Sequence, residues 1–192
     1  MKTFIHPTAC VDATARIGEG CKIWNFCNIQ KNASLGEGCT LGQNVNIGPG
    51  VAIGKNCRIQ NNVSVYEGVV LEEDVFCGPS MVFTNVLNPR SHVIRREEFR
   101  PTIVRKGATL GANCTIICGV EIAPYSMIGA GAVVTRPTEA YGLYFGTPAR
   151  WRGFVCECGE LLGTVSEKNP EVACPRCSKK YLKVDTHQIK PR

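Results

Sequence analysis

A six-residue pattern repeats fourteen times without a slip between positions 5 and 88 of this 192-residue chain. Each unit begins with an apolar residue, here called the anchor, and a small or apolar residue follows four positions later. A short fixed period indicates stacked units, none of which can bury its apolar face alone. Six matches neither the helical nor the strand period, so it predicts a short strand plus a corner, repeated as a parallel β-helix. The anchors are Ile5, Val11, Ile17, Ile23, Ile29, Leu35, Leu41, Ile47, Ile53, Ile59, Val65, Leu71, Cys77 and Phe83.

The residue types at the corners support the same phase. Three positions after nine of the anchors stands Gly, Asn or Asp, the residues that best tolerate the positive φ of a tight corner. Prolines fall one position earlier, at Pro7, Pro49 and Pro79, where a fixed φ and a missing N–H suit a turn. The period alone does not fix the handedness of the helix.

The repeat stops after Asn88 and resumes at Val104. The stretch between them, residues 89–103, has no six-residue phase and carries four arginines. A polar excursion between two rigid stacks often carries binding groups, and a tolerated surface insertion is the alternative. The pattern dissolves from Thr138 and closes at residues 146–150, which predicts a β-helix domain at 1–150 and a second unit at 151–192. The later anchors are Val104, Leu110, Ile116, Ile122, Ile128 and Val134.

The twelve cysteines fall into distinct groups. Five occupy the small inward slot of the repeat, where a thiol behaves as a compact hydrophobe; they are Cys21, Cys27, Cys39, Cys57 and Cys114. Four others form two pairs in the tail, Cys156 with Cys158 and Cys174 with Cys177. Two thiol pairs at this separation suit tetrahedral Zn²⁺, although the first pair is C-x-C and not the commoner C-x-x-C.

A metal also explains how a tail of about forty residues could persist without a sufficient core. We therefore predict a zinc-ribbon-like unit. Four thiolates leave no open position for a substrate, so the predicted role of Zn²⁺ is structural. A disordered tail with incidental cysteines is the alternative.

Charge and hydropathy limit the classes of partner that the chain is expected to bind. The formal net charge is +6, and the basic residues are not interleaved with aromatics as nucleic-acid binding favours. Small anionic ligands that carry phosphates fit better, and a solvated basic face is the alternative for the tail. No apolar run of about 18 residues occurs, so the sequence predicts no membrane insertion and a cytoplasmic location.

One edge of the predicted helix concentrates polar side chains. If three units make one turn, residues 18 apart stack about 4.8 Å apart along the axis. Tyr66 then lies beside Thr84, and Glu67 lies under Asn85. Asn62 and Glu67 also fit plain corner roles, whereas Asn85 stands where no turn residue is needed. These residues predict a site within the turns made by residues 59–90.

The repeat, the arginine-bearing loop and the Gly-x-Pro-Ala closure at 146–149 resemble the hexapeptide-repeat acyltransferases. The runs RIQNNVSVYEGVVLEEDVFCGPSMVFTNVLNPRS (58–91) and TLGANCTIICGVEI (109–122) are most similar to the bacterial UDP-2-acetamido-3-amino-2,3-dideoxy-glucuronate N-acetyltransferases. The resemblance covers roughly residues 1–150. It implies a left-handed parallel β-helix, a homotrimer, and acetyl-CoA bound in the groove between neighbouring subunits.

The resemblance also implies an activity and a set of site residues. The activity is transfer of acetyl from acetyl-CoA to the 3-amino group of a UDP-linked amino sugar, in lipopolysaccharide O-antigen or other surface-polysaccharide synthesis. Another nucleotide-linked 3- or 4-amino sugar is the alternative. Asn85 is the expected catalytic residue. The expected substrate-binding residues are Asn61, Asn62, Tyr66, Glu67, Thr84 and Arg90. The expected acetyl-CoA-binding residues are Arg105, Lys106, Gly111, Ala112, Gly129, Ala130 and Arg150.

The histidines bear on the chemistry. Acetyl transfer to an alcohol needs a strong general base, usually His, and only His92 lies near the expected site. An uncharged amine has its own lone pair and needs chiefly placement and stabilisation of the oxyanion. An Asn can provide both, so we expect amine attack assisted by Asn85, with His92 as base the alternative.

Two other functional classes fit less well. A metal-dependent hydratase resembling the γ-type carbonic anhydrases would need three His ligands on the stack, and the sequence does not offer them. A purely structural β-helix would have featureless corners, whereas Asn, Glu, Tyr and Arg concentrate around residues 60–100.

Overall fold

A computed structural model describes residues 2–163 and 170–192 of the protein. It confirms the predicted all-β parallel β-helix with a loop insertion and a small C-terminal unit. Lys22 pairs with Thr40, and Ser34 pairs with Ala52, each 18 residues apart. Three hexapeptides therefore make one turn, as the stacking prediction required.

The β-helix has three faces, here called A, B and C in the order in which the polypeptide passes through them. Face A contains β1 (Phe4–Ile5), β4 (Lys22–Ile23), β7 (Thr40–Leu41), β10 (Arg58–Ile59), β13 (Phe76–Cys77), β16 (Thr109–Leu110), β19 (Met127–Ile128), β21 (Gly142–Phe145) and β22 (Arg150–Phe154). Face B contains β2 (Cys10–Val11), β5 (Asn28–Ile29), β8 (Asn46–Ile47), β11 (Ser64–Val65), β14 (Val82–Phe83), β17 (Thr115–Ile116) and β20 (Val133–Val134). Face C contains β3 (Arg16–Ile17), β6 (Ser34–Leu35), β9 (Ala52–Ile53), β12 (Val69–Leu71), β15 (Thr102–Val104) and β18 (Glu121–Ile122).

The anchors form the core of the stack. Ile23, Leu41 and Ile59 on face A are fully buried, as are Ile47 and Val65 on face B. Burying a side chain of this size contributes about 1.5–3 kcal/mol, and each turn covers the turn before it. The first turn has no turn below it, which is why the anchor Ile5 remains 43% exposed.

The excursion differs from its predicted bounds. The polypeptide leaves the stack after Thr84, whose N–H still donates to the Ile116 carbonyl, and rejoins it at β15, so the excursion spans residues 85–101 and not 89–103. Leu87 keeps the six-residue phase in the sequence, yet its side chain is exposed because no wall of the stack stands there. A short 3-10 helix, Arg96–Glu98, is the one helical segment in the described part of the excursion.

The inward thiols are buried as predicted, and they also act as hydrogen-bond donors. The S–H groups of Cys21, Cys39 and Cys57 point at backbone carbonyls of the next turn, at 3.2, 3.0 and 3.0 Å respectively. Burial raises the pKa of Cys21 and of Cys27, and it raises the pKa of Cys114 to about 12. Cys21, Cys27 and Cys114 therefore stay as neutral thiols at physiological pH.

We expect Ellman's reagent to modify Cys10 rapidly in the native, metal-loaded protein and to reach the stack thiols only after unfolding. Cys10 is exposed, whereas Cys21, Cys27, Cys39, Cys57, Cys77, Cys114 and Cys118 are buried. Burial keeps the reagent away from these thiols, and the raised pKa of Cys21, Cys27 and Cys114 further suppresses the thiolate, which is the reacting species. Cys10→Ala should remove the fast phase. A second fast thiol within the stack would contradict this assignment.

The C-terminal unit packs on the last turn of the stack. Its sheet contains β23 (Glu171–Ala173), β24 (Lys180–Asp185) and β25 (Gln188–Pro191). The ring of Tyr141 stacks on that of Tyr125 at 5.4 Å, and Tyr181 meets Tyr141 edge-on at 5.3 Å. Tyr181 is fully buried, so the unit shares a small core with the end of the β-helix.

Within residues 2–163 and 170–192, no helix is long and apolar enough to span a membrane.

Candidate functional site

Four of the predicted site residues lie together where face B turns into face C, an edge here called the BC corner. Ser64 of β11 pairs with Val82 of β14, which places residues 66–67 and residues 84–85 on adjacent turns. Adjacent turns are about 4.8 Å apart. Tyr66 is 40% exposed and Glu67 is exposed. The structure therefore brings Tyr66, Glu67, Thr84 and Asn85 onto one accessible edge, as the sequence predicted.

Backbone and side-chain hydrogen bonds fix the upper part of this edge. The hydroxyl oxygen of Thr84 accepts a hydrogen bond of 2.9 Å from the backbone N–H of Cys118 on the next turn. The backbone carbonyl of Asn85 accepts one of 3.1 Å from the N–H of Arg100, which ties the two ends of the excursion together. Asn85 is only partly buried. A fixed backbone with an accessible amide suits a group that orients a ligand.

The excursion beside Asn85 forms a pocket of about 370 Å³ lined by Val86, Pro89, Arg90, Ser91, Ile94 and Phe99, among others. Arg90 bridges to Val93 across a tight turn. Arg95 donates two hydrogen bonds to the Glu98 carboxylate, at 2.7 and 2.9 Å, and these hold the excursion's second half. Arg90 thus lines a cavity within the excursion, and His92 is exposed on the same excursion.

Asn61 and Asn62 lie elsewhere, where face A turns into face B, an edge here called the AB corner. The Asn61 side-chain oxygen accepts a 2.9 Å hydrogen bond from the Gln43 N–H. Asn62 has a φ of 61°, and its side-chain oxygen accepts a 3.1 Å bond from Asn44. These contacts explain both residues as corner residues. Within one protomer the structure does not bring them to Asn85, and their substrate role stays a prediction.

The predicted acetyl-CoA residues divide between two edges. Arg105 and Lys106 lie where face C turns into face A, an edge here called the CA corner. Arg105 donates two 2.9 Å bonds to Glu121 and one of 2.8 Å to Glu72. Hydrogen bonding to these two carboxylates raises the pKa of Arg105, and the Arg105 bond lowers the pKa of Glu121. Lys106 pairs with Glu73 at 3.1 Å, and that bond raises the pKa of Lys106.

Gly111, Ala112, Gly129 and Ala130 lie instead at the AB corner. A Cβ on Gly111 would lie 2.6 Å from the Ala130 nitrogen, and one on Gly129 would lie 2.8 Å from the Phe145 Cβ. Close stacking of turns therefore accounts for both glycines. Arg150 opens β22 and is exposed. The acetyl-CoA roles of all seven residues stay predictions, and no single edge of one protomer contains them.

The four tail cysteines converge. Their sulfurs all lie within 4.8 Å of one another, with Cys156 and Cys177 at 3.5 Å and Cys158 and Cys174 at 3.6 Å. Sulfurs bound tetrahedrally to Zn²⁺ at about 2.3 Å are about 3.8 Å apart. A disulfide would need about 2.05 Å. The donor set thus fits a structural zinc ion.

The surroundings of the cluster also suit a metal. Burial raises the pKa of Cys174, but hydrogen bonds from the backbone N–H groups of Cys177 and Arg176 and from the Cys158 and Cys156 side chains together lower it to about 7. The hydroxyl of Tyr181 lies 3.1 Å from the Cys156 sulfur and accepts a 3.0 Å bond from the Glu157 N–H. The sequence analysis missed Tyr181, since an isolated Tyr in a tail gives no signal of such a contact.

Two family models match the protein. The hexapeptide repeat of succinyl-transferase matches residues 32–67, and the bacterial transferase hexapeptide (six repeats) matches residues 101–136. The first matched segment ends at the BC corner with Tyr66 and Glu67, and the second begins after Asn85; both confirm the repeat that the period predicted.

Two curated relatives are N-acetyltransferases. The dTDP-3-amino-3,6-dideoxy-alpha-D-galactopyranose 3-N-acetyltransferase of Aneurinibacillus thermoaerophilus is 44% identical over 46% of this chain and 44% of its own length. The 2,3,4,5-tetrahydropyridine-2,6-dicarboxylate N-acetyltransferase of Staphylococcus aureus is 31% identical over 41% of this chain and 30% of its own length. The chain thus matches less than half of either relative.

Solved structures share the fold. The GDP-perosamine N-acetyltransferase of Caulobacter crescentus, with CoA and GDP-perosamine, has a TM-score of 0.50 at 23% identity, over 80% of this chain and 57% of the other. The acetyltransferase domain of PglB from Neisseria gonorrhoeae, with acetyl coenzyme A, has a TM-score of 0.52 at 17% identity, over 78% and 57%.

Proposed function

We propose that the chain is a hexapeptide-repeat acyltransferase that moves an acetyl group from acetyl-CoA to the amino group of a nucleotide-linked amino sugar. The observation that carries this proposal is the BC corner, where Asn85 is held by its backbone beside an exposed carboxylate, Glu67. A protonated amine is attracted by that carboxylate, and the Asn amide can orient it. The 44% identical relative, named as a 3-amino sugar N-acetyltransferase, adds support.

The chemistry needs few groups. The neutral amine attacks the thioester carbonyl, a C–N bond forms, and the carbonyl oxygen gains negative charge. Asn85 orients the amine or donates its N–H to that oxygen. The C–S bond then breaks, and the departing CoA thiolate takes the surplus proton of the amine. His92 lies on the excursion and is the alternative acceptor of that proton.

The preferred substrate is UDP-2-acetamido-3-amino-2,3-dideoxy-glucuronate, for surface-polysaccharide synthesis. A 3- or 4-amino sugar on another nucleotide is the second candidate, favoured by the dTDP-linked substrate in the relative's name. The test is release of free CoA with a panel of UDP-, dTDP- and GDP-linked amino sugars. We expect the UDP-linked 3-amino uronate to give the highest kcat/KM. No CoA release with any amino sugar would contradict the activity itself.

A homotrimer is part of the proposal. The predicted substrate and acetyl-CoA residues divide among the AB, BC and CA corners, so a neighbouring copy is needed to place one corner opposite another. The narrow, filled core of the stack offers no internal cavity for a ligand as long as CoA.

We expect light scattering to give three times the mass of one protomer at working concentration. Acetyl-CoA should bind to that species with one site per protomer. A monomer that binds acetyl-CoA and remains fully active would contradict the shared groove.

A further inference from the structure

The BC corner continues below the Asn85 site toward the N-terminal end of the stack. A cavity of about 470 Å³ opens there, lined by Cys10, Asp12, Asn28, Ile29, Gln30 and Lys31. None of these residues has a role in the site described above. Lys31 occupies the same corner position as Glu67 and Asn85, two and three turns below them. At about 4.8 Å per turn, the backbone of Lys31 lies about 10 Å below that of Glu67.

The edge between the cavity and the site is open. The turn between Lys31 and Glu67 carries Gly48 and Pro49 at this corner, so no long side chain separates the cavity from the Asn85 site. This gap in the edge is here called the Gly48 notch. A Cβ on Gly48 would lie 2.9 Å from the Glu67 nitrogen, which keeps this position small. Above the notch stands Tyr66, 40% exposed. An extended ligand could therefore run along the corner from the cavity to Asn85.

Side chains of opposite charge stand at the two ends of this edge. Lys31 is exposed, and within the described residues its ammonium has no carboxylate within ion-pair distance. Glu67 is likewise exposed, at the other end of the notch. The carboxylate of Asp12, which lines the cavity, accepts hydrogen bonds from both the N–H and the O–H of Thr14, at 2.9 and 2.6 Å, and these fix its position.

A nucleotide-linked amino sugar has the complementary polarity. Its diphosphate is anionic, and its amino group is cationic before it loses a proton. Resting on the proposed function, we infer that Lys31 binds the diphosphate of the nucleotide sugar and that the cavity around Asp12 and Gln30 holds the nucleoside. The Asp12 carboxylate can accept hydrogen bonds from ribose hydroxyls. The Gln30 amide nitrogen donates one hydrogen bond to Asn46 at 3.1 Å, which leaves its second N–H and its oxygen to pair with a base edge. The amino sugar then extends past the Gly48 notch to Glu67 and Asn85.

The test is calorimetric binding of UDP, dTDP and GDP to the full-length protein. The variant is Lys31→Gln, which removes the charge and keeps most of the side chain. The matched control is Lys55→Gln, because Lys55 is an exposed lysine at the equivalent position of the CA corner, paired there with Glu37 at 3.2 Å. Loss of a charge-assisted contact should weaken nucleoside diphosphate binding about 10–100-fold in Lys31→Gln. Lys55→Gln should bind as the wild type does, and acetyl-CoA binding should not change in either variant.

Three results would overturn the inference: no binding of any of the three diphosphates to the wild type, equal binding by Lys31→Gln, or an equal loss in both variants. The experiment distinguishes failure of this subsite from failure of the proposed acetyl-transfer function. Acetyl transfer with an unchanged KM in Lys31→Gln would leave the function standing and refute the subsite. Lys31-dependent diphosphate binding without acetyl transfer to any amino sugar would do the reverse.

Discussion

Asn85→Ala is expected to lower the rate of acetyl transfer about 10²–10³-fold, whereas His92→Ala should keep most of the activity. Losing one orienting or oxyanion contact typically costs a factor of this size, about 2.7–4 kcal/mol in the barrier. Losing a general base costs about 10²–10⁴-fold. The comparison therefore separates attack by an oriented amine from base catalysis. Initial rates with saturating acetyl-CoA and the best substrate of the panel measure it.

Both variants should keep the wild-type melting curve, because neither side chain belongs to the core of the stack. Asn85 keeps its backbone bond to Arg100 whichever side chain it carries. The reverse pattern, with His92→Ala nearly inactive and Asn85→Ala active at equal stability, would make the excursion histidine the base and refute the proposed mechanism.

Removal of the metal is expected to unfold the C-terminal unit and to leave the β-helix folded. The binding free energy of structural Zn²⁺ is about 10–16 kcal/mol in small zinc-dependent units, and there it is also the folding free energy. The folding of the β-helix does not depend on the metal, because the apolar core of the stack is continuous from turn to turn. Elemental analysis should find one zinc per protomer, and Cys174→Ser should lose it.

Limited proteolysis after chelation should then cut the protein beyond the end of the stack, with far-ultraviolet circular dichroism of the repeat retained. Cys10→Ser is the matched control, because Cys10 is an exposed thiol outside the cluster. The contact of Tyr181 with Tyr141 should be lost as well, so the last turn should become less protected from hydrogen exchange. Freshly purified, unchelated protein without zinc would contradict the metal site, and joint unfolding of both units would contradict their independence.

The sequence predicts the stack well because one rule acts at every turn. A buried apolar anchor such as Ile23 or Ile59 and a positive-φ corner residue such as Asn62 are each required locally, so the period shows them directly. The four tail cysteines follow equally simply from the ligand preference of Zn²⁺. Phe26 and Tyr125 break the corner rule, since they hold φ values of 60° and 54° where most turns place Asn or Gly, and nothing in the sequence pattern predicts them.

The site is harder to predict than the stack because it depends on which corner a residue occupies. Asn61 precedes Tyr66 by only five positions, yet the two residues lie on different corners, at opposite ends of a face B strand. The partners of Arg105 lie 16 and 33 positions away, and the second spacing depends on the length of the excursion. Leu87 shows the same limit, since an apolar residue in the correct phase is exposed once the polypeptide has left the stack.

The most direct test of the account is to compare the preferred amino sugar nucleotide with its analogue that carries a hydroxyl in place of the amine. Free CoA and the mass of the sugar product are followed together. If an amine attacks unaided by a strong base, the amino sugar should be converted to its N-acetyl product with one CoA released per acetyl transferred, and the hydroxyl analogue should remain unchanged. Equal acetylation of the two, or CoA release without an acetylated amine, would contradict the claim that this β-helix is a nucleotide-sugar N-acetyltransferase.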